Sequence, residues 1–270
     1  AQGMLTLRRD NLGGLERGAI LREILGFIDG ALDLWRKVYE RTSPIELGER
    51  AHVLCAISHL NLVSGDRQRA EENAEEALQT FPNYYAAIQA LAAVKLAQRN
   101  YTGAIDLDRQ LCSLVPRASS FYLLADALNR AKREVEARQN FTKFIELAEE
   151  EAQKADNSNL DLVLYDIDVG HKPINALALA KAEYALRHDF LTLDAYAWAL
   201  WANGDKSEAK KTIGTILAIG VKEPVVLYHV GAIEIGLGKR DAGLAHLRDA
   251  ATGSSLDAEA LLQRLHATVR

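Results

Sequence analysis

The sequence predicts an all-α fold: a right-handed α-solenoid of about six helix-turn-helix repeats, with a long N-terminal helix and a C-terminal capping helix. Three observations predict it. Apolar triplets recur with their first residues 34, 33, 39, 33 and 34 positions apart. A second set of small and large residues recurs at a fixed distance behind each triplet. Gly or Pro punctuates the segments between them.

The triplets define the first helix (A) of each unit: Leu54, Ile57, Ser58; Ile88, Leu91, Ala92; Phe121, Leu124, Ala125; Leu160, Val163, Leu164; Leu193, Tyr196, Ala197; and Leu227, Val230, Gly231. The second helix (B) carries Ala70, Ala74, Ala77; Ala104, Asp108, Leu111; Ala137, Phe141, Phe144; Ala176, Ala180, Glu183; Ala209, Ile213, Ile216; and Gly243, Leu247, Ala250. Small residues let the two helices approach, and large ones fill the ridges between them. One helix pair cannot bury its own apolar face, so every unit depends on its neighbours. Gly65, Gly170, Gly204 and Gly238 mark A-to-B turns, and Pro82, Pro116 and Pro224 fall between units.

Large then large-small in helix A, and small-x3-large-x2-small in helix B closed by Pro, resembles the tetratricopeptide (TPR) repeat over about residues 46–257. The units are 51–84, 85–117, 118–151, 157–189, 190–223 and 224–257. There are departures. Arg99-Asn100 and Lys132-Arg133 stand where other units have a Gly turn. The spacing of 39 adds about five residues near 149–157, read as a longer helix B and loop and a candidate hinge. Glu183 occupies a position where the pattern expects a small residue.

Outside the repeats, residues 1–45 form an N-terminal segment and 258–270 a cap. Residues 1–14 are polar and Gly-rich and are expected to be poorly ordered. The periodicity of Leu21, Ile24, Leu25, Ile28, Leu32, Trp35 and Tyr39 predicts a single amphipathic helix over 15–39, either a cap or a degenerate first repeat. A terminal helix over 256–269, with Ala258, Leu261, Leu262 and Leu265, would cover the last repeat.

Composition narrows the function. With 49% hydrophobic and 26% charged residues, the chain is an ordinary folded protein. A net charge of −5 disfavours nucleic-acid binding, which needs Lys and Arg to displace phosphate counterions. No apolar run approaches the ~20 residues that span a bilayer. The start Ala-Gln-Gly-Met fits either a processed terminus or a remnant before Met4, so the compartment stays open. Cys55 and Cys112 form no CxxC, and the two N-x-S/T matches at Asn100 and Asn140 fall in helical segments.

In TPR arrays the A helices line the concave face, and the resemblance places a peptide groove there. Helical spacing gives its candidate residues as Trp198, Trp201, Tyr228, Asp194, Asp126, Asp161, Asp168, Tyr122 and Asn129. Trp198, Trp201 and Tyr228 are the candidate anchor, because aromatics most often anchor interfaces. Asp126, Asp161, Asp168 and Asp194 would favour a peptide with basic residues. His52-x2-Cys55-x3-His59 shares one helix face, but its ends lie about 10 Å apart along the axis, too far for one ion. No metal or cofactor is expected. The Lys/Asn/Asn/Lys/Arg carboxylate clamp of chaperone-binding TPR domains has no counterpart: the groove positions carry His, Gln, Asp and Trp. GxGxxG, P-loop, HExxH and GxSxG motifs are absent.

The expected function is therefore a non-catalytic protein- or peptide-binding scaffold. The alternative is a self-assembling structural protein, a homo-oligomer using the N-terminal helix, with Gly26-x3-Gly30 as a pairing stripe. An enzyme or an RNA-binding repeat protein is disfavoured by the missing catalytic constellation and the acidic groove.

Overall fold

The computed structural model describes residues 11–152 and 159–267. Among them are fifteen α-helices and no strand, arranged as the helix-turn-helix repeats of an α-solenoid. In chain order these are α1 (Leu12–Ile24), α2 (Ile28–Arg41), α3 (Leu47–Val63), α4 (Arg67–Thr80), α5 (Tyr85–Ala97), α6 (Tyr101–Leu114), α7 (Ala118–Arg130), α8 (Glu134–Glu151), α9 (Leu160–Asp168), α10 (Pro173–Leu186), α11 (Phe190–Ala202), α12 (Lys206–Ile219), α13 (Pro224–Gly236), α14 (Arg240–Thr252) and α15 (Leu256–Ala267). Helices α7 and α8 each contribute to both of two compact units, the first built mainly from α1–α6 and the second mainly from α9–α15.

Where an A helix turns into its B helix, one backbone device recurs. A residue of positive φ donates its N–H three residues back, and the next residue donates five back. Gly65 to Leu62 with Asp66 to Asn61, and Gly204 to Trp201 with Asp205 to Leu200, are two instances. This geometry satisfies carbonyls left open at the helix end. Arg99 and Lys132, both at φ 61°, take the same conformation without being glycine. The following residue then caps the B helix: Asp66, Asn100 and Asp205 accept from the N–H of Arg69, Gly103 and Glu208.

The N-terminal segment departs from expectation. The single helix expected over 15–39 is two helices, α1 and α2, broken at Gly26. Gly26, at φ 77°, makes the same turn, donating to Glu23 while Phe27 donates to Arg22. Periodicity carries across the break because each helix shows an apolar face to the same core. Leu15, Leu32, Trp35 and Val38 bury against Val53, Ile57 and Leu60 of α3. The Gly26-x3-Gly30 stripe is accordingly no helix-pairing surface: Gly26 sits in the turn, and a Cβ on Gly30 would meet the Arg22 side chain at 3.0 Å. Residues 11–14, expected to be poorly ordered, hold the start of α1, with the Asn11 side chain accepting from Gly14 N–H. The rest of that stretch, 1–10, lies outside the described residues.

Further along, the chain departs from the regular pattern at three places. Helix α8 runs 18 residues against 14 for α4, α6, α10 and α12, which takes up part of the extra length. The rest of the candidate hinge, 153–157, lies outside the described residues. Between α9 and α10 the left-handed residue is His171 (φ 50°), one position beyond Gly170. Glu183 is buried at its small-residue position because it has partners: Asn159 Nδ2 donates to it at 2.8 Å and Arg187 lies 3.1 Å away.

Small residues do their expected work at the helix crossings. The buried Ser58 hydroxyl of α3 donates to the Ala70 carbonyl of α4 at 2.6 Å. A Cβ on Gly243 would stand 2.6 Å from the Gly231 carbonyl, so α13 and α14 approach backbone to backbone. On α15, Ala258, Leu261, Leu262 and Leu265 pack against Leu227, Leu247 and Ala250. Among the described residues no helix is long and apolar enough to cross a membrane.

Candidate functional site

The second unit gathers part of the expected groove into one cluster on successive A helices. Asp168 ends α9, Asp194 and Trp198 lie one turn apart on α11, and Tyr228 and His229 are adjacent on α13. Trp198 Nε1 donates to Asp168 Oδ1 at 3.0 Å. The Trp198 ring stacks on His229 with centroids 4.6 Å apart and planes 20° apart, and it meets Tyr228 at 6.0 Å and 57°. Beneath the indole, His229 Nδ1 and Asp194 Oδ2 are 2.8 Å apart. Both are almost completely buried, while Trp198 and Tyr228 are half-buried and Asp168 is exposed.

The electrostatics follow from that arrangement. Burial works against a charged His229. The Asp194 carboxylate, by charge and by hydrogen bond, outweighs it with help from Asp168 and Asp257, and the imidazole pKa is raised. The Asp168 carboxyl is also raised. Enclosure by protein is the main cause, and the Trp198 hydrogen bond and the His229 charge pull the other way. Asp168 is thus open to water on one side and enclosed by protein atoms on the other. Asp168 and Asp194 stand close to the His229 imidazole, and Asp194 Oδ1 is buried with no hydrogen-bond partner among the described residues.

The remaining sequence candidates lie elsewhere. Trp201 is half-buried among apolar side chains of the same unit, with its ring on Gly236 and the Lys206 ammonium 5.7 Å from its centroid. Tyr122 packs edge-on to Phe144 at 5.2 Å. Asp161 is exposed, with its carboxyl pKa raised by enclosure and by Glu151, against Arg117. Asp126 belongs to the first unit, where Arg130 Nε donates to it at 2.7 Å; Asn129 is exposed beside them. His52, Cys55 and His59 turn to different neighbours. His52 meets Trp35 edge-on at 5.8 Å, and burial pushes the Cys55 thiol up to about 12. His59 Nε2 lies 3.1 Å from Glu23. A protonated thiol and two separately engaged imidazoles do not form a metal set.

Sequence reasoning missed His229, whose imidazole pairs with Asp194 and stacks beneath Trp198. The available signal was its position directly after a groove residue, 35 residues beyond Asp194, on a neighbouring A helix. Asp257, at the start of α15, was missed because the cap was read only for its apolar face.

No model of a known protein family matches the sequence, and no curated protein matches it. Solved structures do. MamA aligns at 18% identity over 57% of this chain and 87% of that one, with a TM-score of 0.46. PilF of Pseudomonas aeruginosa aligns at 17% identity over 79% and 97%, with a TM-score of 0.43. A tetratricopeptide repeat protein from Parabacteroides merdae aligns at 13% identity over 96% of this chain and 99% of that one, with a TM-score of 0.52, and this likeness across nearly the whole of both chains shows that the fold is TPR-like.

Proposed function

We propose that this chain is a non-catalytic scaffold that docks a protein or peptide on the A-helix face of its second unit. The observation that carries the reading is the Trp198–Tyr228 pair, half-exposed and braced from behind by His229 and Asp168. Aromatics held rigid at a surface bind with little loss of side-chain freedom, which is the condition for an interface anchor. The repeat scaffold adds to this, because helix pairs fixed by their neighbours present a face formed before the partner arrives. The exposed Asp168 carboxyl, with Asp194 behind it, favours a partner with basic residues.

Affinity capture from a lysate with the wild-type chain and with folded Trp198→Ala tests the reading. A partner held by the wild type and lost by the variant supports it. Identical partners for both would remove Trp198 from the interface.

A second reading, self-assembly through the N-terminal helices, draws on Leu21 (53% exposed) and Phe27 (63% exposed), two large apolar residues on the surface of the α1–α2 pair. Light scattering of Leu21→Glu/Phe27→Ser, which leaves the buried Leu32–Trp35–Val38 face intact, separates the two. Loss of an oligomer favours assembly. An unchanged mass leaves docking alone.

A further inference from the structure

We infer that the surface formed by Asp168, Trp198 and Tyr228 takes the guanidinium of an arginine side chain from the bound peptide; the inference rests on the docking reading above. Asp168 uses Oδ1 to hold the Trp198 indole, and Oδ2 makes no hydrogen bond among the described residues. That leaves an exposed carboxylate oxygen at the edge of an aromatic wall. Trp198 and Tyr228 stand at 57° to one another, and Trp198 cannot fold back because His229 stacks behind it. The ligand is a cation on charge grounds: the exposed group is the Asp168 carboxyl, and behind the wall Asp194 Oδ1 is buried without a hydrogen-bond partner among the described residues.

The surroundings choose among cations. A hard metal ion needs several oxygen ligands converging on one point, and here a single carboxylate oxygen is left open beside an indole. Phosphate groups are repelled by the same charge. A lysine ammonium satisfies the carboxylate as a point charge but gains less from the rings. A guanidinium is planar and weakly hydrated, so it lies on an aromatic face while its edge donates to a carboxylate.

The test selects binders to the full chain from a displayed library of random twelve-residue peptides, then measures one selected peptide by fluorescence anisotropy. Replacing its arginine with citrulline keeps the planar shape and three of the five N–H donors but removes the charge. The expected result is an arginine enriched at one position. Citrulline weakens binding tenfold or more and lysine by a lesser factor. Asp168→Asn keeps an acceptor for Trp198 Nε1, weakens the arginine peptide by a similar factor and abolishes the citrulline difference. Asp241→Asn, at an exposed acidic residue in the first turn of the B helix α14, changes affinity less than twofold. Peptides that bind with no arginine dependence, or that lose affinity equally with Asp241→Asn and Asp168→Asn, overturn the arginine site and leave peptide docking standing. Failure of the folded chain to select any peptide overturns the docking reading and the arginine site with it.

Discussion

Trp201 lies so close to Gly236 that a Cβ on the glycine would stand 2.3 Å from the indole Cζ2. The ring of α11 therefore rests on the bare backbone of α13, and a methyl group cannot be added unless the ring moves. Gly236→Ala is expected to cost about 1–3 kcal/mol, the usual range for overpacking. The cost should shrink in a Trp201→Phe background, where the ring is smaller. Urea unfolding of the wild type, the two single variants and the double variant measures the interaction. Equal costs in both backgrounds would show that the glycine is needed for its backbone alone.

That contact explains why the fold was more legible than the site. Repeat positions such as Ala197, Gly231 and Leu247 are defined by their neighbours within one period, and the sequence prints that period directly. A groove residue is defined by what the next A helix brings opposite it. Trp198 and Trp201 look equivalent by helical spacing. One meets His229 and Asp168, and the other meets a glycine 35 residues away. The break at Gly26 was hidden for a similar reason, since two helices facing one core continue one apolar pattern through the turn.

His229 makes part of the stability pH-dependent. Its folded pKa is raised above the unfolded value because Asp194, Asp168 and Asp257 favour the imidazolium more than burial opposes it. Its contribution is therefore fully present below about pH 6.5, the ordinary histidine value, and is lost as the pH rises through the folded pKa. His229→Gln should remove that slope. The melting-temperature gap between wild type and variant should narrow from pH 6 toward alkaline pH, after allowance for the constant loss of packing. A gap independent of pH would mean that the imidazole titrates alike in the folded and unfolded chain, and a gap that widens with pH would mean that burial holds it neutral.

Asp108 carries a larger expected effect, in the first unit. It is 4% exposed, its Oδ1 is buried without a partner among the described residues, and burial with nearby Asp126 pushes its carboxyl up to about 7. The folded state then prefers the neutral acid. Stability is fully present below the unfolded value near 3.8 and falls as the pH rises toward about 7. Asp108→Asn keeps the shape without the charge. It should stabilise the chain by at most about 4 kcal/mol at pH 8, from about 1.4 kcal/mol per pH unit, with the gain vanishing toward pH 4. Chemical denaturation at several pH values reads this directly, and a gain that does not grow with pH would place the ionised carboxylate among partners that stabilise it.

The A-to-B turns supply a matched pair of backbone tests. Gly238 (φ 83°) and Lys132 (φ 61°) occupy the same left-handed position in different units. A Cβ at Gly238 would touch nothing within 4 Å, so Gly238→Ala changes no packing and isolates the conformational term. The left-handed region costs an L-residue about 1–2 kcal/mol, partly offset because alanine also narrows the unfolded ensemble. The expected loss is about 1 kcal/mol. Lys132 already bears that strain, so Lys132→Gly should be neutral or stabilising by up to about 1 kcal/mol, against the usual sign for introducing glycine. The Lys132 N–H to Asn129 and Arg133 N–H to Leu128 bonds are backbone bonds and survive the change. Thermal or urea unfolding of the two single variants gives opposite signs on this account. A clear loss in Lys132→Gly would mean that the lysine side chain holds the turn by more than its backbone conformation.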